Sequence, residues 1–332
     1  MKILVATNHL YQYGGSETYT FTLIEEINRR KNFDVEYFTF KKGSVSERIE
    51  NQLGVKFLSK EKYDLILANH NSCVEKLYGM GFIIQTCHGI FPSLEQPSDK
   101  ADAYVSISQE VQSHLADKGY SSKIILNGLN LNRFKPKNPV SKNLRNVLSL
   151  CHSVEANSFI EEICKLNQWK FLKAYKYDSP LWEIENKINE ADIVIGLGRS
   201  AYEAMACGRP VVIFDKRRYS DWFGDGYVKN ILGLSLINNC SGRYFKYNFS
   251  SEDLELEIKK FRKNHSVYFR EFAEKELDIV KNTDKYLEYF EFLQKNQKTL
   301  KRKLWITLSK FYIGNYNLSK ILFLKKRILK FF

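Results

Sequence analysis

Residues 191–215, ADIVIGLGRSAYEAMACGRPVVIFD, restrict the fold more than any other part of the chain. An apolar run typical of a buried strand ends at a Gly-Leu-Gly turn, and good helix formers follow it. Ser200 is predicted to be the helix N-cap and Gly208 the left-handed residue that ends the helix, which then spans residues 201–207. A second apolar run follows Pro210 at once. The order strand, glycine turn, helix, strand predicts a parallel β–α–β unit.

The glycine turn of this unit also predicts a ligand. Glycines allow backbone N–H groups to approach a bound group closely, and a helix N-terminus favours negative charge. We therefore expect a phosphate ester or a diphosphate at this turn. Glu203, one turn into the helix, is then expected to reach a sugar hydroxyl beside the phosphate.

The alternation of apolar runs and helical patterns continues along the chain and predicts an α/β protein of two parallel-sheet domains. Residues 1–135 form the first predicted domain and residues 146–265 the second. Between them, residues 133–145 hold two of the six prolines and many charges, which is typical of a linker. Residues 266–297 are predicted to be closing helices, one of them over residues 267–280. In parallel sheets of this kind, ligands bind at the carboxyl ends of the strands.

The positive charge of the chain is concentrated at its C-terminal end. The chain has a net charge of +13. Residues 295–332 contain eleven Lys and Arg and no Asp or Glu, so residues 1–294 carry a net charge of 13 − 11 = +2. Over residues 298–332 these cations alternate with apolar side chains. This pattern predicts a basic amphipathic tail that binds an anionic membrane surface, and no nucleic-acid partner is expected. Packing of its apolar face on the first domain is the main alternative, and nucleic-acid binding through charge alone is the other.

Cysteine usage and the N-terminal segment predict a cytoplasmic protein. The six cysteines form no Cys-x-x-Cys pair and lie mostly in apolar runs, which is typical of buried thiols in a reducing compartment. The chain opens with MKILVATN, a strand pattern and not a signal peptide. No apolar run reaches the roughly 18 residues of a membrane span. We therefore expect a peripheral protein on the inner face of the cell membrane.

Three further loops follow predicted strands. Gly14 and Gly15 precede a helix and form a second turn suited to an anion, although a tight turn alone explains them equally. His88 ends a strand, where its imidazole is placed to bond a substrate hydroxyl or phosphate, or else serves only the loop. Asn127 begins an Asn-Gly turn just before the linker.

These three loops and the helix that follows the Gly-Leu-Gly turn resemble motifs of the retaining glycosyltransferases of the GT-B fold, specifically glycosyltransferase family 4. The motifs occur in the same order along the chain. The similarity covers roughly residues 1–290. Its most specific part is a run of nine residues, and the other motifs are short. The matching segments are GGSE at 14–17, HG at 88–89, NGLN at 127–130 and EAMACGRPV at 203–211.

The resemblance implies two Rossmann-like domains that face a cleft, with a nucleoside diphosphate-sugar donor on the second and the acceptor on the first. Glu203 would bond the donor ribose, and Gly198, Ser200 and Ala201 would hold the diphosphate. Gly15, with Gly14 beside it, would close on the donor from the other side. His88 would contact the sugar.

Two departures from the family concern the charges around the donor. The family carries a pair of glutamates eight positions apart, and Ile195 stands where the first would be. The family also places an Arg and a Lys after the first strand of the second domain, and residues 151–157 contain neither. Without a cation the leaving diphosphate loses electrostatic stabilisation. Arg199 is therefore predicted to replace that pair, with His152 as a lesser candidate and a solvent-exposed Arg199 as the alternative.

Asn127, Asp221 and Asp225 are predicted to bind substrate. Residues 221–227 suit sugar stacking and hydroxyl binding, or form only a surface loop. No Asp-x-Asp loop occurs, so no metal and no cofactor is expected besides the sugar nucleotide.

Together these observations predict a glycosyltransferase that acts with retention on a hydroxyl of a cell-envelope glycan or lipid-linked acceptor. An NAD-dependent oxidoreductase is one alternative, because Gly196, Gly198 and Ala201 fit the dinucleotide fingerprint and Asp215 stands where a ribose-binding acid would follow. A catalytically inactive nucleotide-sugar-binding protein on the same scaffold is the other.

Overall fold

The structure, a computed structural model, describes residues 1–174, 182–217 and 223–313, with side chains except for Phe223 and residues 297–313. The chain forms two compact units, of which the first, Met1–Asp284, contains both β-sheets and the second begins at Lys285. The strands are β1 (Lys2–His9), β2 (Asp34–Lys41), β3 (Lys56–Phe57), β4 (Leu65–Ala68), β5 (Phe82–Cys87), β6 (Ala103–Ser106), β7 (Ser122–Ile124), β8 (Asn146–Ser149), β9 (Lys170–Lys173), β10 (Ile193–Gly196), β11 (Val211–Phe214), β12 (Phe223–Tyr227) and β13 (Tyr247–Asn248). The helices are α1 (Gly15–Arg29), α2 (Ser44–Leu53), α3 (Asn71–Leu77), α4 (Gln109–Asp117), α5 (Val154–Leu166), α6 (Ile184–Glu190), α7 (Arg199–Ala206), α8 (Leu232–Ile237), α9 (Ser251–Lys259), α10 (His265–Glu276) and α11 (Ile279–Ile313).

The first sheet is parallel throughout. Its strand order is β3-β2-β1-β4-β5-β6-β7, so the direction of winding reverses between β1 and β4. The strands next to this reversal are almost wholly buried, as expected for parallel strands covered by helices on both faces. A reversal of this kind opens a crevice at the carboxyl ends of the two strands.

The second sheet has the order β13-β12-β11-β10-β8-β9 and reverses between β8 and β10. Strands β8 to β11 are parallel, and β12 and β13 are antiparallel to their neighbours. The predicted loop over residues 221–227 was therefore wrong for its described part, because residues 223–227 are strand β12. Gly224 and Gly226 give this segment the composition of a turn, but an added Cβ at Gly224 would lie 2.6 Å from the Ile213 carbonyl oxygen.

An aspartate precedes three of the parallel strands and fixes the neighbouring strand to it. The carboxylate of Asp64, before β4, accepts the N–H of Lys2 at the start of β1. Asp102 does the same for Ile83 on β5. Asp192 accepts the N–H of Asn146 at 2.9 Å. Each of these bonds satisfies a backbone donor that has no partner in the ladder at the strand end.

The segment after the first sheet connects it with the beginning of α11. Between Ile124 and Asn146 the chain has no helix or strand beyond a bridge at Leu129. Leu129 donates to the carbonyl of Leu277 and accepts from the N–H of Ile279. The helix predicted over residues 267–280 was therefore wrong in one respect. The helix is interrupted after Glu276, because the backbone groups of Leu277 and Ile279 bond to Leu129 instead.

All six cysteines are buried free thiols, as predicted, and burial raises the pKa of each. None of the helices in the described part of the chain combines the length and the apolar character that a membrane crossing requires.

The contact between Gly128 and Ile279 gives a test of this arrangement. A Cβ at Gly128 would lie 2.7 Å from the Cα of Ile279, so Gly128→Ala is expected to lower the free energy of unfolding by about 1–3 kcal/mol through overpacking. Gly233→Ala is the control, because an added Cβ there meets no atom within 4 Å. Urea denaturation measures both. Equal stability of the two variants would show that residues 278–279 do not pack on the linker.

Candidate functional site

A cavity of about 830 Å³ lies between the carboxyl ends of the strands in the two sheets. Its walls include the loops that leave β1 and β4 at the reversal of the first sheet, and those that leave β8 and β10 at the reversal of the second. Both topological switch points therefore open into one cavity, as expected for a ligand site in this class of fold.

The glycine turn after β10 forms one wall of this cavity. The structure corrects its predicted cap, because α7 begins at Arg199 with Gly198 as N-cap, and no side chain caps the helix. The cause is a tertiary contact. Gly198 donates its N–H to the carbonyl of Cys240 at 2.9 Å and adopts φ +56°, which favours glycine. Gly208, with φ +67°, directly follows the C-cap residue of α7, as predicted.

This geometry leaves the first turn of α7 open to an anion. The N–H groups of Arg199, Ser200 and Ala201 make no hydrogen bond within the described residues, and the first two of these residues line the cavity. Ala201 itself is fully buried, so it offers only its backbone. Free N–H groups and the helix dipole together attract a negatively charged group.

Arg199 and Glu203 form a buried ion pair beside this turn. Arg199 Nε donates to Glu203 Oε1 at 2.9 Å, and both side chains are 11% exposed. Burial raises the pKa of Glu203 and lowers the pKa of Arg199. The second carboxylate oxygen of Glu203 accepts no hydrogen bond from a described residue. Both residues line the cavity, so the cation and one oxygen of the acid are available to a ligand.

His88 lies on the first-sheet side of the cavity in a chain of polar side chains. Its Nε2 is 3.2 Å from Asn69 Oδ1, and its Nδ1 is 3.4 Å from Asn127 Nδ2. These distances fit a neutral ring that donates through Nε2 and accepts at Nδ1. Asn69 in turn donates to Thr20 on α1. Asn69 was missed by the sequence analysis, since an Asn after a short strand gives no distinctive signal.

Burial, the neighbouring His70 and the charge of Arg199 lower the pKa of His88 to about 3. The imidazole is thus neutral at physiological pH and both of its nitrogens are occupied. In contrast, Asn127 Oδ1 is buried and accepts no hydrogen bond from the described residues. Asn127, and not His88, therefore has a polar atom that a ligand could bond.

The glycine pair after β1 lines the cavity at the start of α1. Gly14 is the N-cap of this helix, and a Cβ at Gly14 would lie 2.5 Å from Glu17 Oε2, whereas Gly15 faces open space. Glu17 is occupied by His9 Nε2 at 3.1 Å and by the Ser16 hydroxyl at 2.8 Å. Gly15 therefore allows a ligand to approach the backbone, while Gly14 makes room for Glu17.

Among the described residues, three arginines besides Arg199 line the cavity, and none was predicted to belong to the site. Arg133 pairs with Glu185 at 3.1 Å, Arg217 with Asp215 at 2.8 Å, and Arg243 with Glu110. The sequence gives no sign of the last pair, whose members are 133 positions apart. His152 also lines the cavity, and Ile195 is fully buried in β10.

One predicted acid, Asp225, lies away from the cavity. Asp225 is buried and accepts hydrogen bonds from the Ser235 hydroxyl at 2.5 Å and from the N–H of Phe245 at 3.0 Å. It does not line the cavity, because β12 directs it into the second domain. The structure therefore does not bring Asp225 together with Glu203. Asp221 lies outside the described residues.

Asp215 has a structural role that conflicts with the dinucleotide interpretation. Its side chain is fully buried and accepts the N–H groups of His152, Ser153 and Lys216. A carboxylate held this way cannot bond a ribose. Within the described residues, no group of three or more His, Cys, Asp and Glu side chains is arranged to hold a metal ion.

No protein-family model matches the sequence, and no curated protein matches it either. Solved structures do match the fold. A glycosyltransferase from Rickettsia africae ESF-5 has a TM-score of 0.59 at 13% identity, over 89% of this chain and 99% of that one. A UDP-N-acetylglucosamine 2-epimerase has a TM-score of 0.55 at 11% identity, over 90% and 98%. The catalytic domain of starch synthase IV from Arabidopsis thaliana, bound to ADP and acarbose, has a TM-score of 0.52 at 11% identity, over 88% and 99%.

These similarities, together with the two sheets and the cavity between their carboxyl ends, establish the GT-B fold. The predicted architecture of two Rossmann-like domains is confirmed. The antiparallel edge of the second sheet is an addition to the prediction.

The charge state of His88 gives a test of the site. Because its pKa is lowered to about 3, its ring is expected to stay neutral from pH 8 down to pH 5, whereas an exposed histidine titrates near 6.5. NMR of ¹⁵N-histidine-labelled protein measures this, with His88→Gln to assign the signal. A titration midpoint above pH 5 would contradict the buried network with Asn69 and Asn127.

Proposed function

We propose that the protein is a glycosyltransferase that moves a sugar from a nucleoside diphosphate-sugar to a hydroxyl of a glycan or lipid-linked acceptor. The observation that carries this proposal is the uncapped first turn of α7, with the Arg199–Glu203 pair beside it, at the switch point of the second sheet. A diphosphate linked to a ribose has the charge and the hydroxyls that such a turn and such an acid bind.

In this proposal the diphosphate lies against the turn at Gly198, and Arg199, Ser200 and Ala201 contribute the backbone N–H groups. Arg199 neutralises charge on the leaving phosphate, and Glu203 bonds a ribose hydroxyl with its free oxygen. Fixed donors of this kind act where charge develops, and losing one typically costs about 10²–10³ in rate. Arg217 and Arg243 add positive potential to the same wall.

The transferred sugar is proposed to lie between this wall and the first sheet. Asn127 Oδ1 then gains the donor it lacks, and His88 orients Asn127 and contacts the sugar with its ring. Gly15 permits close approach of the backbone at the start of α1, with Gly14 behind it. Transfer proceeds with retention on the front face of the sugar, where the leaving phosphate helps to take the acceptor proton.

Two of the similar structures support the choice of donor. One is named a glycosyltransferase, and another is a starch synthase domain bound to ADP and acarbose. An NAD-dependent oxidoreductase is disfavoured, because Asp215 is occupied by three backbone amides. A catalytically inactive binding protein would have the same nucleotide site, so a measurement of turnover distinguishes it from a glycosyltransferase.

Donor binding gives the direct test. UDP or GDP is expected to raise the melting temperature of the wild-type protein, while NADH is not. Arg199→Ala is expected to lower the transfer rate by about 10²–10³-fold. Arg199→Lys, which keeps the charge near Glu203, is expected to recover part of the rate. Arg145→Ala is the matched control, because Arg145 is exposed and lies outside the cavity wall.

The products distinguish the remaining functions. Transfer releases a free nucleoside diphosphate together with a glycosylated acceptor, whereas an epimerase converts the sugar without such an acceptor product. Tight nucleotide binding without turnover of any sugar nucleotide would indicate an inactive scaffold. Protection by NADH alone would overturn the proposal.

We further propose that residues 298–332 bind the anionic inner face of the cell membrane, where a lipid-linked acceptor would lie. The support is their composition, because Lys and Arg alternate there with apolar residues and no acid occurs. The structure describes the backbone of α11 as far as Ile313.

Truncation after residue 297 tests this second proposal. The full chain is expected to sediment with vesicles containing phosphatidylserine and to be released by high salt, since about 1 kcal/mol per cation comes from screened attraction. The truncated chain is expected to stay in solution. Neutral vesicles are the control, and equal sedimentation of both chains with anionic vesicles would contradict the proposal.

A further inference from the structure

Glu95 is the carboxylate of the cavity wall that the donor site does not explain. Four glutamates line the cavity, and three of them are paired within the described residues: Glu17 with His9, Glu110 with Arg243, and Glu203 with Arg199. The side-chain carboxylate of Glu95 has neither a hydrogen bond nor an ion pair there. An unpaired, half-buried carboxylate in a cavity points to a ligand.

The position of Glu95 places it on the first-sheet side, close to the loop of His88. It ends a short 3₁₀ turn, Ser93–Glu95, and a Cβ at Gly89 would lie 2.4 Å from its Oε2. The cavity wall around it is largely apolar. Ile90 and Leu94 line the cavity and are half-buried, whereas Ile107 and Val111 are at most 2% exposed and belong to the core on which Ile90 packs.

These apolar surroundings raise the pKa of Glu95 to about 7 through burial. The ionisable groups on the packed elements do not neutralise it. His114 and Lys118, on and just after α4, both donate to Gln96 Oε1. Glu110 is occupied by Arg243, and the Cys87 thiol, with its own pKa raised to about 12, stays neutral.

The two walls of the cavity differ in charge. The cations Arg199, Arg217 and Arg243 come from the second domain, and Arg133 comes from the linker. Glu95 is on the opposite wall, where it would repel a diphosphate. A neutral hydroxyl suits this carboxylate, and an apolar group suits the side chains around it.

We propose that Glu95 binds a hydroxyl of the acceptor, and that an apolar part of the same acceptor packs on Ile90 and Leu94. This inference rests on the proposed glycosyl transfer and assigns it an acceptor class, a glycoside with an apolar aglycone. The hydroxyl donates to the carboxylate, so use of the acceptor rises as pH increases through 7.

The test compares Glu95→Gln with the wild type, using n-octyl glycosides of common hexoses as acceptors. The variant is expected to raise the KM for the octyl glycoside at least tenfold at pH 8 and to remove the rise between pH 6 and 8. Nucleotide affinity and donor hydrolysis by water are expected to be unchanged. Glu61→Gln is the control, because Glu61 is exposed in the same domain and has no partner among the described residues.

A second measurement needs no acceptor. The pKa of Glu95 is higher in the folded chain than in the unfolded chain. At a pH above the folded-state pKa the ionised carboxylate lowers the stability of the fold, and at a pH below the unfolded-state pKa it has no such effect. Glu95→Gln is therefore expected to raise the melting temperature more at pH 8 than at pH 4. An equal change at both values would show that Glu95 is solvated or paired, which overturns the inference.

The inference and the proposed function fail in different ways. Absence of nucleotide binding would remove the glycosyl transfer itself. The protein could instead bind nucleotides normally but neither bind octyl glycosides in saturation-transfer NMR nor glycosylate them. That result would contradict only the proposed acceptor class. A variant that uses the octyl glycoside with the wild-type KM and pH profile would remove Glu95.

Discussion

The backbone of Gly198 is the constraint on which the site depends. Its φ of +56° turns the chain so that the first amides of α7 point into the cavity, and its own N–H is held by the carbonyl of Cys240. Cys240 and the preceding Asn239 both adopt positive φ angles, a conformation that costs energy in residues other than glycine. Tyr202 on α7 reinforces this contact by donating to Asn239 Oδ1 at 2.8 Å. Two segments far apart in sequence therefore fix one turn.

Around that turn, the distribution of charge divides the cavity into two halves. Guanidinium groups from the second domain and the linker form one half, each with a carboxylate partner that keeps it in place. The neutral polar groups of Asn127 and His88 lie in the other half. The pair Arg243–Glu110 joins the two halves directly. A charged group and a neutral group can thus occupy one cavity without competing for the same side chains.

The sheets and most helices could be predicted from the sequence because apolar runs and turn residues are local signals. The strands β4, β5 and β11 lie within a residue or two of their apolar runs. Strand β12 was missed because its glycines are needed for close backbone packing and resemble a turn. The true N-cap of α7 was missed for a related reason, since Ser200 has the better capping side chain but the contact with Cys240 selects Gly198.

The candidate site was only partly predictable. Motifs indicated Gly15, His88, Asn127 and Glu203, and the missing Arg and Lys of the family indicated Arg199. The structure places all five in one cavity. Arg243 and Glu95 carry no motif, because their position follows from tertiary contacts across the cavity. Asp225 shows the opposite error, as an acid in a promising sequence context serves the interior of its own domain.

The most direct measurement of the central claim is a crystal structure of the protein with the nucleoside diphosphate that binds most tightly. The account predicts phosphate oxygens at about 3 Å from the backbone nitrogens of the first turn of α7, with Glu203 at the ribose. A diphosphate bound at another loop, or a Glu203 carboxylate that makes no contact with the ribose, would contradict it.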